Sequence, residues 1–217
     1  MAKILVLGSS CLVMYLYTGL VVAIHNRLFM EYGSSMSVAA YAIVGYLMTL
    51  YYLLAEGISE GMQPPVSYFH GESAHGKIRS TVWLACKVTI AVGISWILLL
   101  NLFPDTMFGW FNNSNEVLVR EARHGITLHL FSLFLDGLII ISSVYFMSVG
   151  RGGMALTIAL GNILVQLPFL WLLPKWLGID GIWLAMPVSN FFLAVFALGA
   201  MWKSLSQTQQ QLETATV

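Results

Sequence analysis

The chain has 217 residues, of which 58% are hydrophobic and only 9% charged, with ten basic and ten acidic residues that cancel. A soluble domain is about one quarter charged, so this composition excludes an ordinary soluble protein, and the neutral balance offers no basic surface for nucleic acid. A mean hydropathy of +0.79 indicates an integral membrane protein.

A helix that crosses a bilayer needs about 20 mostly apolar residues. Residues 4–24 carry no charge and predict the first span. The run is long and lacks a small-residue cleavage site, so it reads as a span rather than a signal peptide. Residues 36–55 predict the second span, with its helix continuing past Glu56 towards Pro64. Glu56, Glu60 and Gln63 fall at i, i+4 and i+7 and share one helix face. Gly57 and Gly61 have the G-x-x-x-G spacing that lets another backbone approach. Polar groups inside an apolar segment face a protein interior or a wet cavity, which makes Glu56 a candidate cavity residue. Pro64-Pro65 then leads towards an expected Gly-rich, basic loop. Its His70, Glu72 and His75 have the spacing H-x-E-x-x-H, which departs from a helical zinc motif.

Residues 81–103 predict the third span, with Lys87 snorkelling to the interface. The connection 101–124 is amphipathic, and Asn115 is placed to cap a short surface helix through Arg123. Asn112-Asn113-Ser114 matches a glycosylation acceptor. Residues 125–149 predict the fourth span as one helix, 154–173 the fifth and 181–202 the sixth. Beyond Lys203 the chain is polar and free of aromatics, which predicts disorder. The expected architecture is therefore all-α: a polytopic bundle of six transmembrane helices over residues 1–203, then a cytoplasmic tail over 204–217. Cys11 and Cys86 lie in apolar segments without C-x-x-C spacing and read as buried thiols.

Six spans place both termini on one side. That side collects Lys3, Lys77, Arg79, Lys87, Arg151 and Lys203, against Arg27, Arg120, Arg123 and Lys175 on the other. The excess points the termini to the cytoplasm. Trp83, Trp110, Trp171, Trp176 and Trp202 lie near predicted helix ends, where indole prefers the interface.

Asp136 stands near the middle of the fourth span. An ionised carboxylate at that depth is unfavourable by ~2.5–3.5 kcal/mol, so the fold either gives it a partner or protonates it. His129, Asp136 and Ser143 are spaced by sevens and predict one polar stripe. The stripe is a candidate site for a proton, a sodium ion or a cationic substrate; the alternative is a carboxylate satisfied by a neighbouring helix. Asn162 and Gln166, at i and i+4 of the fifth span, either line the same cavity or bond between helices. Pro168 is placed to bend that helix. Tyr41, Tyr46, Tyr51 and Tyr52, with eleven Met, could line a pocket for flat organic cations. No nucleophile elbow, P-loop or dinucleotide fingerprint is present, so neither an enzyme nor an organic cofactor is expected.

The segment AEGISEGMQPPVSYFHGESAHGKIRS combines small residues, a G-x-x-x-G-x-Q-P run, an aromatic and a basic Gly-rich stretch. In these features it resembles the multidrug and toxic compound extrusion (MATE) family. The segment YFMSVGRGGMALTIALGNILVQLPFLWLLPKWLGIDGIWLAMPVSN resembles the end of the same transporters. Together the matches run from about Asn26 to Trp202. The resemblance implies one six-helix lobe, the C-terminal one, of a twelve-helix antiporter in a bacterial cytoplasmic membrane. It also implies efflux of hydrophobic or cationic compounds against H⁺ or Na⁺, with Asp136 in the span that carries a coupling acid. A partner lobe is implied too, either an N-terminal lobe or a second copy of this chain. The first span lacks the acid that some members place there. Alternatives are a flippase for lipid-linked precursors, which needs a more cationic cavity, and a non-transporting fragment or accessory subunit.

Overall fold

Among the described residues, apolar runs broken by short turn-forming segments fold into helices alone. The computed structural model describes residues 19–104, 106 and 115–215, with side chains as far as residue 206. Helix α1 covers 19–32, α2 Ser35–Gly71, α3 His75–Leu102, α4 Glu116–His129, α5 Leu133–Ser148, α6 Gly152–Leu177 and α7 Ile179–Ala215. Helices α2, α3, α6 and α7 are each long and apolar enough to cross a bilayer. Helices α4 and α5 make a further, broken span bent by 50°. Helix α1 takes in residues 19–24 of the first predicted span and continues past its expected end to 32. Residues 4–18 of that span, Lys3, Cys11, Trp110 and the Asn112-Asn113-Ser114 sequence lie outside the described residues.

Local chemistry sets the helix starts. Ser34 caps α2 by accepting from the Met36 amide, and the Ser34 amide in turn donates to the Ser37 hydroxyl oxygen, a capping box. Asn115 caps α4 through the Val117 and Leu118 amides, as its position in the sequence predicts. Ser37 also donates to Glu121 Oε2 at 3.4 Å, tying α4 to the start of α2.

The bundle buries two apolar clusters, one at each end. The first gathers Phe29, Leu47, Tyr51, Ile126, Leu133 and Trp183; the second gathers Val66, Ile78, Ile141, Phe146, Ile158 and Leu193. Large apolar side chains also cover the outside, among them Leu84, Leu164, Trp171, Phe192, Val195 and Trp202. A water-soluble monomer does not sustain so wide an apolar surface, whereas lipid satisfies it. Lys175 Nζ sits 3.3 Å from the Trp171 ring centroid, a pairing suited to the membrane boundary.

Three expectations are corrected. Helix α2 does not end near Pro64 but passes through Pro64 and Pro65 to Gly71. Each proline removes one backbone bond, and Glu60 and Gly61, whose carbonyls lose those donors, are both exposed. The loop is thus only residues 72–74, with Ser73 in the left-handed region at φ 56°. The fourth span is not one helix, because it breaks across residues 130–132. Neither Pro nor Gly marks that break, so periodicity alone reads straight through it. Lastly, α7 runs helical to Ala215, and Ser204 is buried and bonded rather than part of a free tail.

Gly125 fixes how closely α4 approaches α7, since a Cβ there would lie 2.6 Å from the Trp183 indole. Overpacking of this kind costs about 1–3 kcal/mol. Gly125→Val is expected to lower the thermal midpoint of the detergent-purified protein. An unchanged midpoint would contradict this packing.

Candidate functional site

The helix break positions the site. Helix α5 starts just after it, and Asp136 lies in the first turn of α5. The amides of a first turn lack helical partners, and the helix dipole favours negative charge there. The next residue is Gly137, where a Cβ would collide with Thr89 Cγ2 and Tyr51 Oη. Absence of a side chain at Gly137 therefore lets α5 press against α2 and α3 at once. Thr89 stands midway along α3, so Asp136 sits at mid-depth in the bundle, where the sequence places it.

Asp136 is 7% exposed, and Asn190 of α7 donates from Nδ2 to its Oδ1. Tyr51 Oη and Thr89 Oγ1, which both press on neighbouring Gly137, are buried without a hydrogen-bond partner. The centre thus combines a carboxylate, an amide and two uncommitted hydroxyls in low-dielectric surroundings. Oxygen donors of this type suit a proton or a hard cation rather than a transition metal. Among the described residues no cluster of three or more His, Cys, Asp or Glu could hold a metal.

His129 does not share this centre. It ends α4, and its Nδ1 donates to the Trp183 carbonyl at 2.8 Å. The predicted stripe through His129, Asp136 and Ser143 is therefore corrected: the break puts His129 on another helix with other partners. Sequence supplies the reason for its bond. Pro187 has no N–H to give to the carbonyl four residues back, which is that of Trp183. His129 fills the vacancy. His25 joins the same pocket, stacked on Tyr41 at 4.9 Å and edge-on to His129 at 6.1 Å. Its Nδ1 donates to the Val21 carbonyl at 2.8 Å. Because carbonyls only accept, both rings carry the proton on Nδ1, and each Nε2 is left as a buried acceptor without a partner.

The other candidates are dispersed. Glu56 and Glu60 are exposed on α2, and so are Gly57 and Gly61, with open space where each Cβ would be. Gln166 is buried on α6 between Gly161, which meets Leu193, and Phe169, which stacks on Phe192. Its helix thus packs on the stretch of α7 that carries Asn190. Asn162 is half-buried on the same helix. The tyrosines divide: Tyr41 joins the histidines, Tyr51 joins Asp136, Tyr52 neighbours Tyr51 and Tyr46 is exposed. Lys87 is exposed, and Cys86 is buried as a free thiol. Asn190 and His25 escape the sequence reading. Asn190 does carry a signal, being an amide midway along an otherwise apolar span; His25 directly follows the first apolar run.

The role of His129 has a direct test. His129→Phe leaves the buried Trp183 carbonyl unsatisfied, at a cost of about 1–3 kcal/mol. Adding Pro187→Ala restores an amide donor for it. The single variant is expected to lose thermal stability and the double variant to regain part of it; equal losses would refute the link.

Against known proteins, the family model described as MatE matches residues 10–172. No curated protein matches the sequence. Among solved structures, a MOP-superfamily transporter from Pyrococcus furiosus is similar with a TM-score of 0.84 at 15% identity, over 93% of this chain and 46% of that one. An outward-facing multidrug resistance MATE family transporter gives 0.85 at 16%, again over 93% and 46%. The Vibrio cholerae MATE transporter VcmN in its bent form gives 0.83 at 20%, with 93% and 46% covered. This chain therefore spans less than half the length of each, and at such identities the likeness concerns the fold. Since the family model covers most of its residues, the chain belongs to the MatE family of membrane transporters.

Proposed function

We propose that this chain forms one lobe of a cation-coupled exporter of hydrophobic, often cationic compounds, and that Asp136 binds the coupling ion, H⁺ or Na⁺. The observation that carries this reading is the buried Asp136–Asn190 pair at a helix break, flanked by the unpartnered hydroxyls of Tyr51 and Thr89. Broken helices with ion sites near the midplane are a recurrent device in secondary transporters. Binding a cation at Asp136 changes the charge at the point where α2, α3, α5 and α7 meet, and so changes their packing. Alternating access then follows from rocking this lobe against a second one.

The substrate path runs along the exposed face of α2 that carries Glu56 and Glu60. Carboxylates on a spanning helix do not face lipid, and Gly57 and Gly61 leave room for a partner helix. Acids on that face favour a cationic substrate over an anionic lipid precursor. The second lobe is an N-terminal lobe or another copy of this chain. In this reading the chain lies in a bacterial inner membrane with its termini on the cytoplasmic side, an orientation that the excess of Lys and Arg there supports.

Ethidium efflux from pump-deficient cells that express these 217 residues tests the reading, with Asp136→Asn as the matched variant. Efflux by the wild type and its loss in a normally inserted variant are expected. Equal efflux by both would end the coupling role of Asp136. No efflux from either would mean that this lobe needs an N-terminal partner.

A further inference from the structure

At the end of the bundle where α2 stops and α3 and α6 start, a cavity of about 100 Å³ opens between α2, α3, α5, α7 and the turn that joins α5 to α6. Its polar lining comes from His70, His75, Tyr145, Arg151 and Ser204. None of the residues lining it is acidic. The Arg151 guanidinium donates one bond, from Nη1 to Ser204 Oγ at 3.1 Å. No carboxylate pairs with it among the described residues. Tyr145 Oη and Ser204 Oγ are 3.0 Å apart, so the hydroxyls are held at the cavity wall. His75 Nδ1 is buried there without a partner. Two long helices also begin at this cavity, α3 at His75 and α6 just after Arg151, and neither has a side-chain cap.

The polar side chains that line it are one guanidinium, two imidazoles and two hydroxyls, with no carboxylate among them. A guanidinium fork with imidazole and hydroxyl donors matches a tetrahedral oxyanion. At roughly 30 Å³ per water, the space holds about three waters, enough for one such group and too little for a drug-sized ligand. We propose that this cavity binds a phosphate group, presented either as inorganic phosphate or as the headgroup of an anionic phospholipid. The site is separate from Asp136, and its occupancy would clamp α2, α3, α5, α6 and α7 together at one membrane surface.

Thermal unfolding of the full chain, purified and lipid-depleted in an uncharged detergent, tests the proposal. Inorganic phosphate is titrated against chloride at equal ionic strength. In parallel, micelles are doped with phosphatidylglycerol or phosphatidylcholine. A saturable rise in midpoint with phosphate supports a free-phosphate site; a rise with phosphatidylglycerol alone supports a lipid headgroup site. In either case Arg151→Gln is expected to weaken the response at least tenfold and Arg151→Lys less. If Arg151→Gln does not fold, His75→Leu replaces it, with a loss of several-fold expected. No response in the wild type, or the same response in the variants, would overturn the site.

Discussion

A carboxyl group cannot be left bare halfway across a bilayer, and the centre of this molecule is arranged around that constraint. Asp136 is accommodated by three features at once. The helix break gives it a first-turn position, Asn190 gives it a donor, and Gly137 lets two other helices close over it. Each feature serves the others. Without the glycine, Tyr51 and Thr89 could not approach; without the break, the positive end of a helix dipole would not lie near the charge.

A second polar point, less than a helix length away in sequence, solves a different problem. Pro187 leaves the Trp183 carbonyl of α7 without its helical donor, and His129 supplies one across the α4–α7 contact. The same contact is brought close by Gly125. His129 is thus explained by packing, which separates it from the ion chemistry proposed for Asp136. Between them the two points join α7 to both halves of the broken span. A change at Asp136 therefore has a route into the α4–α5 bend.

Much of this was legible in the sequence because bilayer thickness imposes a length on apolar runs. The second, third, fifth and sixth spans, the Asn115 cap and the depth of Asp136 all follow from run length and residue type. What escaped has physical reasons. The break at residues 130–132 carries no Pro or Gly, so only tertiary contacts reveal it. Conversely, Pro64 and Pro65 signalled a stop that the exposed end of α2 did not need. Asn190 was hidden by its neighbours, since an uncharged run registers as apolar even with one amide at its centre. Glu56 was legible as polar within a helix, but the face it occupies depends on partners that the sequence pattern does not display.

The central claim is that the Asp136 carboxyl changes its bound cation. Infrared difference spectroscopy of the reconstituted protein tests it most directly, comparing wild type with Asp136→Asn as Na⁺ is added and as pH is stepped. The account expects a carboxyl band that responds to one of these changes in the wild type and is missing from the variant. Identical difference spectra from the two proteins would contradict it.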